Sequence, residues 1–170
     1  LLRGVMMRVS LFFFHSTALM ALLPLLARGL HSGSAGAYTL LLASMGAGAI
    51  LAALLMPYLR HRWQRDTLVL RATTLMSAGM AAMAVAPNVP LAMLAMFVVG
   101  LAWITTANSL SVSAQLGLPD WVRARGMSIY QMAIMGASAL GAALWGQVAT
   151  LSSLQVSLLV AAGTGLLSMV

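Results

Sequence analysis

Cysteine and lysine are both absent from this chain, and only Asp66 and Asp120 carry negative charge. Without cysteine there is no disulfide, no thiolate nucleophile and no Cys-containing metal site. Charged residues make up 6% of the sequence, against about 25% in a soluble domain. That inventory cannot build a water-facing surface, so lipid is the solvent over most of the molecule. The net charge of +7 comes from nine arginines. They sit between apolar runs rather than along one polar face, which points to a membrane surface and away from nucleic acid. Also missing are a P-loop, a dinucleotide fingerprint, zinc-ligand spacing and a Ser/His/Asp constellation. These absences speak against an enzyme, and no cofactor or metal is expected.

Hydrophobic residues form 62% of the chain, and the mean hydropathy is +0.99. They fall into six apolar segments: 9–27, 37–59, 67–86, 91–116, 127–149 and 154–170. A bilayer core of about 30 Å takes about 20 helical residues, which the first five segments supply. The last has 17 residues, at the short limit. Segment length, with no alternation of polar positions, predicts helices rather than barrel strands. The fold class expected is therefore an all-α integral membrane bundle of six transmembrane helices. Short connections at 28–36, 60–66, 87–90, 117–126 and 150–153 predict that consecutive helices lie side by side and antiparallel. The chain opens at Leu1 rather than Met and stops at Val170 inside an apolar run. It is expected to be a single half-domain cut from a longer protein.

With the segments alternating across the membrane, Arg3, Arg8, Arg60, Arg62, Arg65, Arg71, Arg123 and Arg125 fall on one side, and Arg28 alone on the other. This bias predicts that the arginine-rich side is cytoplasmic. Arg71 is expected to snorkel to the head groups from one turn inside the third helix. A signal peptide, cleaved near Ser34-Ala35-Gly36-Ala37, is the alternative reading of the first segment. Its long apolar run and the five segments that follow speak against it.

Three stretches carry a family resemblance. They are Ala21-Leu22-Leu23-Pro24-Leu25; Gly46-Ala47-Gly48-Ala49, leading through Met56-Pro57-Tyr58-Leu59 into Arg60–Asp66; and Leu118-Pro119-Asp120-Trp121-Val122-Arg123-Ala124-Arg125-Gly126, flanked by Gln115, Tyr130 and Leu144-Trp145-Gly146. Together they resemble the second half of the transmembrane secretion effector group of the major facilitator superfamily, which includes enterobactin-exporter-like proteins. The resemblance implies the C-terminal six helices of a twelve-helix carrier. Such a carrier would rock against an N-terminal six-helix half around a central small-molecule site. It implies a bacterial cytoplasmic membrane and export of a siderophore-like or drug-like substrate. A non-transporting membrane fragment or scaffold half is the rival. Where similar proteins often carry another glycine, this chain has Ala52, still small enough for close packing.

Candidate residues follow in two groups. Gly46 and Gly48 on the second helix, and Gly141 on the fifth beside Ala133 and Ala137, are expected at close helix contacts, static or sliding. Asp66, next to Arg65, stands where the superfamily carries its gating motif. It is expected either to cap the third helix or to latch onto a neighbouring one. Asp120, Arg123 and Arg125 form a second charged cluster at a helix start. For the substrate cavity the candidates are His15 and Ser16 within the first helix, Thr105 and Asn108 (with Ser109) in the fourth, and Gln131 in the fifth. Ionisable groups at such depth are functional candidates, and amides need partners or water. A neutral His15 hydrogen-bonded to a neighbouring helix is the static alternative. No Asp or Glu lies within any segment, so a buried carboxylate cannot couple protons here. Fourteen methionines add adaptable apolar surface.

Overall fold

The structure, a computed structural model, describes residues 2–30 and 35–168. Six helices follow one another: α1 (Leu2–Gly29), α2 (Ala35–Arg62), α3 (Arg65–Ala84), α4 (Val89–Leu116), α5 (Asp120–Leu151) and α6 (Leu154–Leu167). Among the described residues there is no strand. With no water in the bilayer core, helices satisfy every backbone group within one segment. Residues 31–34, including Ser34 of the alternative cleavage site, lie outside the described residues.

Local chemistry sets the breaks. Gln64 is extended (φ −64°, ψ 151°), and it separates α2 from α3. Asn88 accepts a hydrogen bond from the Leu91 amide at 3.1 Å and starts α4, with Pro90 in the first turn. Ser153 does the same for α6 through the Val156 amide at 3.2 Å. Both satisfy a donor that the first helical turn leaves free. Pro24 and Pro57 lie inside α1 and α2, as transmembrane helices tolerate.

Five of these helices are long and apolar enough to cross a membrane. The sixth, α6, is apolar but has 14 residues, about 21 Å at 1.5 Å per residue. The expected segments therefore appear as helices, most of them extending past their apolar limits into the charged flanks.

The packing departs from the side-by-side order expected of short connections. The broadest interfaces are α2 with α4, α1 with α5, α3 with α4, and α3 with α6; α2 and α3 barely touch. A short connection fixes where the next helix starts, but long helices can splay from that point. Small residues then decide which partners approach most closely. Ser44 bonds to the Met93 carbonyl and Arg60 to Asn108 at nearly equal sequence offsets, so α2 and α4 run parallel. Leu19, Leu23, Leu41, Met80, Met96, Val99 and Leu158 are fully enclosed. Half of the apolar window of α3 is buried and 44% of that of α4, against 22% for α2 and 17% for α5. The last two helices thus turn most of their apolar surface outward.

Candidate functional site

At the arginine-rich end Arg8 of α1 reaches Asp66 in the first turn of α3, Nη1 to Oδ1 at 2.8 Å. Asp66 does not cap: the residue at the cap position is Gln64, and it makes no side-chain bond to the helix. Of the two roles expected for Asp66, the geometry gives the bond to a neighbouring helix. A cavity of about 660 Å³ opens beside this pair, lined by Arg8, Arg65 and Asp66 and, from α4, by Ser113 and Leu116. Asp120 pairs with Arg123 within α5. Arg125 has no ion pair among the described residues, and Arg65 has none either. Arg71 stacks its guanidinium 4.2 Å over the Trp63 ring, so its charge is directed toward the α2–α3 connection as a snorkelling arginine would be.

The glycines sort into two kinds. A Cβ on Gly48 would collide with the backbone carbonyl of Phe97, and one on Gly100 with that of Met45. The two positions make reciprocal backbone contacts where α2 crosses α4, an approach that a side chain would forbid. Gly141 likewise lies against the Phe14 carbonyl of α1. Gly46, in contrast, has open space around it. Ala52 is fully buried, so the close packing expected there is retained. The Phe14 carbonyl also accepts the Trp145 indole N–H at 3.0 Å, and the Trp145 carbonyl accepts the Ser157 hydroxyl at 2.8 Å. One seam thus ties α1, α5 and α6.

The polar candidates separate by surroundings. His15 and Ser16 are buried. His15 Nδ1 lies 2.7 Å from the Leu11 carbonyl, and its ring stands beside those of Phe14 and Trp145. Thr105 and Ser109 are buried as well, donating to the carbonyls of Leu101 and Thr105 one turn back. Asn108 and Gln131 are exposed. The Asn108 side-chain oxygen accepts from Arg60 at 2.7 Å. Gln131 has no hydrogen-bond partner among the described residues.

Sequence reading missed Gly100, which mirrors Gly48, and the Arg60–Asn108 and Arg8–Asp66 partnerships. The only signal for Gly100 was a single glycine within an apolar helix. The ion-pair partners lie 58 residues apart, a distance across which local pattern says nothing.

Long apolar helices joined by short connections, with charge gathered at one end, define a multi-pass membrane protein. The model of the transmembrane secretion effector family, of the major facilitator type, matches residues 1–170, and the chain belongs to that family. Comparison with curated proteins and with solved structures finds no match. Family membership points to a non-enzymatic membrane transport protein.

Proposed function

We propose that this chain acts as the C-terminal six-helix half of a secondary-active exporter in a bacterial cytoplasmic membrane, carrying a siderophore-like or drug-like small molecule by alternating access. The observation that carries the reading is the pair of amides exposed at membrane depth. At 1.5 Å per residue, Gln131 lies about 6 Å inside the apolar segment that starts at Met127, and Asn108 about 12 Å short of the end of α4. In hydrocarbon the Gln131 amide would leave its donors and acceptor unmet, and Asn108, whose oxygen accepts from Arg60, would leave its two amide hydrogens unmet, so these positions fit a water-filled cavity. Ile129, Met132, Met135 and Leu140 are exposed on the same helix as Gln131, and methionine adapts to ligands of varied shape.

The outward faces of α2 and α5 supply the surface on which an N-terminal half would dock and slide. Gly46 and Gly136 lie there with open space around them, which allows a second backbone to come close. In this arrangement the Arg8–Asp66 pair, with Arg65 beside it, latches the cytoplasmic end. The Asp120–Arg123 pair and Arg125 sit at the start of α5. Thr105 and the His15–Ser16 turn support the cavity wall from behind. Gly48 and Gly141 hold the crossings about which the wall moves.

Export is tested in efflux-deficient cells that express the reading frame containing this chain. Wild type should lower accumulation of at least one compound in a siderophore and drug panel. Gln131→Leu should restore accumulation at an unchanged membrane level of the protein. Accumulation that a well-expressed wild type leaves unaltered across the panel removes the exporter reading.

A further inference from the structure

Within the spans, several serine and threonine hydroxyls bond back to the preceding turn: Thr17 to Phe13, Thr73 to Val69, Thr74 to Leu70, Thr105 to Leu101 and Ser109 to Thr105. This is the usual way for a hydroxyl to satisfy itself in a lipid-embedded helix. Thr106 of α4 and Ser77 of α3 depart from the habit, each without a hydrogen-bond partner among the described residues. Ser77 lines a cavity of about 10 Å³ between α1, α3 and α6, together with His15, Ser16, Thr73, Ala161 and Gly165.

The imidazole that shares this cavity has a defined tautomer. A carbonyl oxygen can only accept, so the 2.7 Å contact of His15 Nδ1 with Leu11 O places the proton of the neutral ring on Nδ1. Nε2 is then a bare lone pair. The His15 side chain packs against Gly165 of α6, where an added Cβ would come within 3.1 Å of its Cβ and 3.6 Å of Cδ2. His15 and Gly165 both line the cavity. Thr73 donates to Val69 but keeps its oxygen lone pairs free to accept.

We propose that this cavity binds one ordered water molecule, held by His15 Nε2, Thr73 Oγ1 and Ser77 Oγ, as a hydrogen-bonded joint between α1 and α3 beneath α6. Its size matches one water, which needs about 10–15 Å³ of probe-filled space. The donors and acceptors balance. The water donates one hydrogen to Nε2 and the other to Thr73 Oγ1, and it accepts the Ser77 hydroxyl hydrogen. Three bonds is the usual complement of a buried water, and each goes to a group that the protein leaves free. The joint stands on local geometry alone and does not depend on the transport reading.

The test is solid-state NMR of the ¹⁵N-histidine-labelled chain in lipid vesicles. Only His15, His31 and His61 contribute, and His15→Gln assigns the resonances. The expected result is a neutral His15 ring protonated at Nδ1, with magnetisation passing from an ordered water to the ring. Ser77→Val fills the cavity and should abolish that transfer, and Thr73→Val, nearly isosteric, should weaken it. A ring protonated at Nε2, no transfer in wild type, or transfer undiminished in both valine variants overturns the proposal. Should Ser77→Val fail to insert, Thr73→Val and Ser77→Ala decide by the same readout, since each removes one of the three partners.

Discussion

Gly48 and Gly46 are two residues apart on one helix and read alike in the sequence, yet they meet opposite surroundings. Gly48 lies under the Phe97 carbonyl, whereas Gly46 has open space. Gly48→Ala forces backbone apart from backbone, and overpacking of this kind costs about 1–3 kcal/mol. Gly46→Ala should leave the chain as stable or slightly more so, because alanine favours a helix over glycine by up to about 1 kcal/mol. Unfolding titrations in mixed micelles of the two variants check the contrast, and equal behaviour would contradict the α2–α4 crossing. Ser157 is the polar counterpart. It is fully buried and donates to the Trp145 carbonyl. Ser157→Ala should cost about 0.6 kcal/mol, the average for hydrogen bonds between membrane helices. The same titration reads it, and a loss above about 2 kcal/mol would mean that the hydroxyl holds more than this one bond.

Between elements, charge joins α1 to α3 and small residues join α2 to α4 and α1 to α5. The two joints differ in strength. The Arg8 and Asp66 side chains are 48% and 84% exposed, so water screens their attraction. A pair of this kind contributes about 0–1 kcal/mol, enough to bias a two-state gate but too little to hold the fold. A double-mutant cycle with Arg8→Gln and Asp66→Asn should return a coupling within that range, shrinking as salt is raised. The reversed pair, Arg8→Asp with Asp66→Arg, should recover most of it. Coupling that is absent at low salt would leave the two residues as independent surface charges.

Across the whole molecule, one end gathers Arg8, Arg65 and Asp66 around the larger cleft. The other gathers Leu26, Leu30, Met83 and Ser153 around a smaller, mostly apolar one of about 280 Å³. Trp121 at the start of α5 is 86% exposed and fits the interfacial belt where tryptophan concentrates. From the arginine bias, the first end is expected in the cytoplasm. Because the chain has no cysteine, single replacements report directly. Arg62→Cys and Arg123→Cys should react with an impermeant thiol reagent only after the cells are opened, and Asn88→Cys in intact cells. Labelling of position 62 from outside would invert the topology.

Sequence by itself determined that this protein lives in lipid, that it is helical, and nearly where each helix lies. Those properties follow from composition and from runs of about 20 apolar residues, which are local quantities. Helix starts at Asn88 and Ser153 were equally local, set by a side chain reaching its own next turn. Family membership was legible in the stretch from Leu118 to Gly126, as the family match over the whole chain bears out. Tertiary structure decided which helices meet. Apolar faces are interchangeable in lipid, where no hydrophobic force selects partners. The choice therefore rested on backbone approaches such as Gly48 to Phe97 and Gly141 to Phe14, whose partners lie far off in the chain. It also decided that Asp66 holds Arg8 rather than a helix end, and that Ser77 and His15 line one cavity. The orientation of a polar side chain in a bundle depends on its neighbours, and those are set only when the helices have packed.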